Sequence, residues 1–456
     1  MFPRLFALAF FSATALAADD YGSSTAAPAV PLPQPGPAYL QLAPMLGHVG
    51  PNEARVWVKA TGAAKVAVRV SERADFSEAR DIAGPEIKEA SAFTGVVVIS
   101  ELKAATHYFY TVLLDGQPAL ARPWPSFTTA PEDGARGKMR FAFGSCVGKE
   151  PWLDAATWAD LDARTSVDLM LLLGDNHYAN TTDPAKQRAA FIAHRSNAAF
   201  RALFQRTPLY GIWDDHDFGV NDSDGTQPGK EDALRTFNEF FANPGAGEAD
   251  NPGVYFRFTR GDVDFFLLDD RYHRSPDKAP DDGTKTQLGA QQLAWLKREL
   301  LASKATLKVI GAGGEWQSDS SEDSWKSYAR EETDLFDFLA EHEIKNVLLL
   351  SGDRHFTAAY HVCGRFIEVT SARSAAPARK ANRCPRCSPT TTTESFSAST
   401  KSTPLPSRPR SRWRCGRRAR AWWKSGRSLG SRSPAGRRSS RTFPFPYPNP
   451  THNLSP

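Results

Sequence analysis

The chain has 456 residues, 41% hydrophobic and 23% charged, enough for a sizeable core and, at ordinary domain sizes, for two or three domains. Its net charge of +5 is unevenly placed: residues 374–456 hold 18 Lys and Arg against one acidic residue, Glu394, a balance of +17, and the remaining 38 basic and 50 acidic residues give −12. An acidic body excludes electrostatic steering of polyanions, three of five cysteines in the basic segment (Cys384, Cys387, Cys415) argue against a disulfide framework, and past the N-terminus no run approaches the roughly 18 apolar residues of a membrane span.

Residues 1–17 have the form of a secretory leader: Arg4 gives the charged start, 5–16 are apolar and small, and Ala15-Leu16-Ala17 fits the cleavage pattern. Export to the periplasm or the medium is expected, with an Ala/Pro-rich linker over 18–36. Residues 37–131 read as an all-β sandwich, because 55–58, 66–70, 95–99 and 108–112 are short alternating segments between turns. Within it, 102–116, with Thr106-His107-Tyr108-Phe109-Tyr110 and a closing Asp115-Gly116, resembles a fibronectin type III module. It carries no cluster of reactive side chains and is expected to pack beside the site.

From 138 to 373 strands alternate with helices. Residues 139–143, 169–173, 209–213, 263–268, 307–310, 346–350 and 366–370 read as strands, and 185–204, 230–241, 287–301 and 331–343 have helical spacing. The expected architecture is a layered α/β domain with its sheets inside. Four apolar runs end on ligand-type side chains: Gly144-Ser145-Cys146, Gly174-Asp175-Asn176-His177-Tyr178, Trp213-Asp214-Asp215-His216 and Ser351-Gly352-Asp353-Arg354-His355. Buried strands of such domains are apolar throughout and gather ligands beyond their carboxyl ends, so the four ends should converge on one cleft. Their carboxylates suit calcium or magnesium, whereas a Cys, Tyr and His mixture suits a transition metal such as iron. Glu315 and Gln317, on a loop after a strand, are further candidates, while His177 is expected behind the site or exposed and His194 on a helix face.

Over residues 37–373 the chain resembles the alkaline phosphatase D (PhoD-like) family of the metallophosphatase superfamily. The resemblance rests on the four motifs above and on Leu268-Asp269-Asp270-Arg271-Tyr272 and Leu288-Gly289-x-x-Gln292-x-x-Trp295-Leu296. It implies a layered metallophosphatase-type sheet core flanked by helices, and an enzyme hydrolysing phosphate esters, monoester or diester, with a water activated by two metals. It further implies Cys146, Asp175, Tyr178 and His355 around Fe3+, with Asp175 bridging to a Ca2+ site completed by Asp215 and Asp353; Asp214 is a further candidate ligand. His216 matches the superfamily's proton donor, and Arg271 is the candidate for neutralising the transferring phosphoryl group. The expected partner is a small phosphate ester, with nucleic acid or phospholipid only as substrates, no stable membrane insertion, and a monomeric enzyme.

Two alternatives stand beside this reading: a phospholipase- or nuclease-type phosphodiesterase on the same site, and an envelope polymer-binding protein whose site has decayed. The complete ligand set speaks against decay. After Val369-Thr370-Ser371 all patterning stops and Arg, Ser, Pro and Thr crowd together. Residues 374–456 are therefore expected to be a disordered, low-complexity tail, with a shifted reading frame as its origin.

Overall fold

The computed structural model describes residues 37–147, 151–164, 166–317 and 322–371, for 151–154 and 164 the backbone only. The expected leader and linker (1–36) and basic tail (374–456) lie outside these residues. The N-terminal part is β-rich: β1 (Leu40–Val49), β2 (Ala54–Ala60), β3 (Ala64–Ser71), β4 (Arg80–Ile87), β5 (Thr94–Ile99), β6 (His107–Leu114), β7 (Gln117–Pro118) and β8 (Ser126–Thr128). β1, β2 and β5 form one antiparallel sheet; β4, β3, β6 and β7 form the other, with β8 beside β6. Alternation decides the packing. Val66, Val68 and Val70 of β3 point inward with Lys65 exposed, and they meet Val56, Val58, Val97 and Tyr110 in one apolar core.

β1 escaped the alternation test because both its faces are covered. Leu46 and Val49 join the core between the sheets, while Leu42 and Met45, with Trp57 of β2, join the core of the following domain. Polar contacts seal that seam. Trp57 Nε1 donates to Glu239 O (2.8 Å), Arg55 Nη1 to Asn243 O (2.6 Å), His48 N to Ala242 O (2.9 Å) and Tyr110 OH to Gln205 O (2.7 Å). A Cβ on Gly47 would stand 2.2 Å from Ala242 O, so only glycine permits this approach.

The second part runs β9 (Phe141–Gly144), α1 (Pro151–Arg164), β10 (Leu169–Leu173), α2 (Pro184–Arg195), α3 (Ala198–Phe204), β11 (Leu209–Ile212), α4 (Asp215–Phe218), α5 (Lys230–Phe240), β12 (Phe256–Arg260), β13 (Val263–Leu267), α6 (Ala290–Ala302), β14 (Leu307–Gly311), α7 (Ala329–Glu341), β15 (Val347–Ser351), β16 (Thr357–Val362) and β17 (Phe366–Ser371). β9, β10 and β11 form a parallel sheet in the order β11-β10-β9; the second sheet has the order β12-β13-β14-β15-β17-β16, parallel at its centre and antiparallel at both edges. Leu171, Leu173, Phe265, Val309 and Leu350 share one core between the sheets, and α6 and α7 cover the outer face of the larger sheet through Leu296, Leu335 and Leu339. Of the apolar runs read from the sequence, β10 and β15 lie inside their sheets, while β9 and β11 flank β10.

Departures have local causes. The expected helix over 185–204 is two helices, because Asn197 Oδ1 accepts from Ala199 N (2.9 Å) and Phe200 N (3.2 Å) and starts a new one. The edge strand β16 has no buried residue before Val362, and β12, whose Phe256 and Phe258 alternate with Arg257 and Thr259, is a strand the sequence reading did not include. No helix among the described residues is long and apolar enough to cross a membrane.

Candidate metal centre

Parallel order sends the carboxyl ends of β9, β10, β11, β13, β14 and β15 to one rim. Three sets of ligand atoms gather there, each within 4.8 Å of one another: Cys146, Asp175 and His355; Asp175, Asp215 and His216; Asp215, Asp222 and Asp323. Asp175 belongs to the first two sets and Asp215 to the last two. Tyr178 joins the first, its hydroxyl 3.1 Å from Asp175 Oδ2 and 2.9 Å from His355 Nε2. Asp353 lies against it, its carbonyl 3.5 Å from Cys146 Sγ, and its carboxylate faces Asp215 and Asp323. Asp222 and Asp323 were not singled out from the sequence. They reach the rim from loops that carry no strand-end signature.

The backbone is bent to make this cluster. Cys146, Asp175, Asp353 and His355 all have left-handed φ, between 53° and 64°, a conformation that costs a non-glycine residue roughly 1–3 kcal/mol and persists where surrounding structure enforces it. Gly174 has φ +93°, and a Cβ there would sit 2.4 Å from Asp214 Cβ, which brings the β10 and β11 turns together.

The charges are poorly compensated by protein alone. Burial first, then the neighbouring acids Asp215, Asp217 and Asp353, push the Asp175 carboxyl well above its usual range. Burial and Asp175 likewise push the Cys146 thiol up, and burial pushes the Tyr178 phenol up. Asp175 Oδ1 is buried with no hydrogen-bond partner. Buried polar atoms are rarely left so, and thiol, phenol, imidazole and carboxylate donors around an orphaned oxygen fit bound cations, which would reverse each of these shifts.

Asp214 and Arg271 sit differently from the other candidates. Arg271 is 0% exposed: Nε donates to Asp214 Oδ1 (2.6 Å), Nη1 to Ser223 O (3.2 Å) and Asp323 Oδ1 (3.1 Å), and Nη2 to Asp323 Oδ2 (2.8 Å). This corrects the expectation that Arg271 meets the phosphoryl group. Its fork is engaged behind the rim, where it holds Asp214 and Asp323, and with Asp214 Oδ1 so occupied Asp214 belongs to none of the three sets. Burial raises Asp323, but Arg271 and Arg274 outweigh it and hold the carboxyl below its usual value. Asp269 also supports: it accepts from Trp213 Nε1 (2.8 Å), Val254 N (2.9 Å) and Tyr272 N (2.9 Å), and Gln292 closes on its backbone with bonds of 2.8 and 2.6 Å.

His216 is half-buried at the start of α4, its ring 4.4 Å from that of Tyr178 and its Nδ1 against Asn180 Oδ1. His177 and His194 are buried, His177 against Phe191 (4.4 Å) and His194 against Phe200 (4.9 Å), and burial lowers both to about 3. Gln317 and Glu315 lie on the loop after β14. The Trp316 and Gln317 amides donate to Glu368 of β17 (3.0 and 2.9 Å), which also accepts from Ser351 Oγ (2.6 Å).

Burial pushes Glu368 up to about 7, and Glu332 of α7, half-buried and facing Glu368, also to about 7, from an ordinary 4.5. Both folded values lie above the unfolded ones, so the folded chain binds more protons between pH 4.5 and 7 and this pair's contribution to stability is lost as pH rises through that window. Glu332→Gln should therefore stabilise the protein at pH 8 by about 1–2 kcal/mol and leave it little changed at pH 4.5. Urea midpoints at the two pH values check this; equal shifts at both would remove the pair as the cause.

Two packed sheets flanked by helices, with a carboxylate shared between ligand clusters at their common rim, define the metallophosphatase class. Residues 141–382 match the PhoD-like phosphatase family, just over half of the chain, and the chain belongs to that family. Residues 37–131 match a domain of unknown function, DUF7800. Alkaline phosphatase D of Bacillus subtilis (strain 168) is 26% identical over 297 residues, 53% of this chain and 50% of that protein, so the chain matches about half the length of this curated relative. Among solved structures, that of PhoD superposes with a TM-score of 0.64 at 20% identity, covering 75% of this chain and 79% of the other. The purple acid phosphatase PPD1 from yellow lupin gives 0.55 at 15% identity, covering 75% and 66%. Both show the shared fold.

Proposed function

We propose that the chain is an exported, metal-dependent phosphoric ester hydrolase acting on small phosphate esters as a monomer, with the β-rich N-terminal part a fibronectin type III-like buttress fused to its flank. The carrying observation is the pair of ligand clusters that share Asp175. Cys146, Asp175, Tyr178 and His355 would hold iron, and Asp175, Asp215 and Asp353 calcium. The bound cations would supply positive charge for the phosphoryl oxygens and acidify a water toward neutrality.

The chain's own residues do the rest. Asp175, common to both clusters, ties them together, and the strained turns at Cys146 and His355 hold those donors in place. Asn180 Oδ1 fixes the Nδ1 proton of His216, so Nε2 is the atom that delivers a proton to the leaving alkoxide. His216→Ala should then lower kcat on alkyl phosphates by about 10²- to 10⁴-fold and on activated aryl phosphates by far less. Equal losses on both, together with lost metal, would instead make His216 a ligand, as its place in the second cluster permits.

Hydrolysis of an aryl monoester and an aryl diester by protein purified from its metal-replete host tests the whole reading, before and after chelation and with iron and calcium restored. Activity lost and recovered supports it, and the ratio of rates chooses between monoester and diester. Folded, metal-loaded protein without activity would sink it in favour of a binding role.

A further inference from the structure

A phosphoryl group reaching this acidic rim needs a cation from the protein, and Arg271 is engaged behind it. Arg354 stands between Asp353 and His355 with its side chain 24% exposed, Nε 3.1 Å from Glu315 Oε2 and Nη1 3.9 Å from Asp353 Oδ2. Glu315 is 1% exposed. Its loop is not loose: Gly313 O accepts from Gly352 N (2.8 Å), Gly314 N donates to Asp270 Oδ2 (2.7 Å), and the Trp316 and Gln317 amides are held by Glu368. Glu368 also holds Ser351, three residues before Arg354. One buried carboxylate thus ties down both the loop that carries Glu315 and the strand end that carries Arg354.

We infer that Arg354 is the phosphoryl-binding arginine of this site and that Glu315 is its positioning residue; the inference rests on the hydrolase reading and adds a substrate class to it. Guanidinium is a planar fork that matches phosphate oxygens in pairs. The Glu315 carboxylate makes an ion-pair contact 3.1 Å from Nε, which restrains the guanidinium from that side and lowers the entropy lost when a ligand is bound. A monoester dianion has one more unesterified oxygen and one more charge than a diester. Arg354 therefore favours monoesters.

The test uses the full-length metal-loaded protein, with inorganic phosphate as the probe, read by calorimetry, beside KM and kcat for an aryl monoester and an aryl diester and elemental analysis of bound metal. Arg354→Gln should weaken phosphate binding and raise the monoester KM by roughly 10- to 100-fold, with metal content unchanged and the diester KM moved by less. Arg354→Lys, which keeps charge without the fork, should recover part of the loss, and Glu315→Gln should raise the monoester KM by a smaller factor. Phosphate affinity within twofold of wild type in Arg354→Gln, no phosphate binding by wild type, or a loss of metal in the variant would each overturn the assignment. A wild type that binds phosphate through Arg354 yet hydrolyses neither ester would leave the assignment standing and remove the hydrolase reading.

Discussion

Asp175→Asn is expected to lower kcat/KM for phosphate esters by more than about a thousandfold, since charge stabilisation at such a centre is worth several kcal/mol. The same substitution should make the metal-free protein more stable. Asp175 is 1% exposed, shared by two ligand clusters, and raised by burial and three neighbouring acids. Its pKa lies above the unfolded value, so the metal-free fold loses stability as pH rises past the unfolded range. Asn carries no charge to desolvate. At pH 8 after chelation, urea unfolding should favour the variant by on the order of 1–3 kcal/mol, while iron and calcium should stabilise wild type alone. Activity within tenfold of wild type would place the chemistry elsewhere; a chelated variant less stable than chelated wild type would show that Asp175 is held by the protein rather than by cations.

Arg271→Met should cost about 3–5 kcal/mol of stability, because it leaves the buried Asp214 carboxylate without its counter-charge and takes one of two from Asp323. Asp214 is 0% exposed, and its Oδ1 lies 2.6 Å from the Arg271 guanidinium; Asp323 receives two further bonds from it. Arg274, which pairs with Asp277 (2.6 Å) and Asp323, cannot reach Asp214's place behind the β11 turn without leaving Tyr328, over whose ring it lies at 4.9 Å. The paired Asp323 carboxyl is held below its ordinary 3.8, so its contribution is present above that value and lost as pH falls through the folded pKa. The gap between variant and wild type should accordingly be widest near neutrality and narrow in acid. Arg271→Lys should recover only part of it, since an ammonium cannot bridge both carboxylates with a planar fork. Denaturation across pH 3–8 reads the effect, and a loss under 1 kcal/mol at pH 7 would mean that the pair is replaceable by simple burial.

Much of the architecture was legible because burial on both faces leaves one unmistakable trace. The run Leu169–Leu173 is apolar throughout and Val347–Ser351 is apolar up to its last residue, and both are central parallel strands. Strands whose register is broken by bulges, such as β1, or that are exposed at an edge, such as β16, lack that trace. Helix boundaries failed where a side chain intervened: Asn197 caps a new helix in a stretch whose apolar spacing is continuous.

The site was legible to the same depth. Residue types at strand ends named Cys146, Asp175, Tyr178, Asp215, His216 and His355, because a parallel sheet must bring its carboxyl ends together. Sequence order alone determined that these donors lie near one another, and that apolar strands lie beneath them. Which donors fall into one cluster, and which arginine is enclosed and which stands at the rim, only the tertiary structure decided. Arg271 and Arg354 each follow an Asp in a strand-end motif, yet one is enclosed by Asp214 and Asp323 and the other stands at the rim on Glu315. The reason is physical: a charge's role depends on the burial and counter-charges around it, and those come from residues 40 to 60 positions away that no local pattern announces.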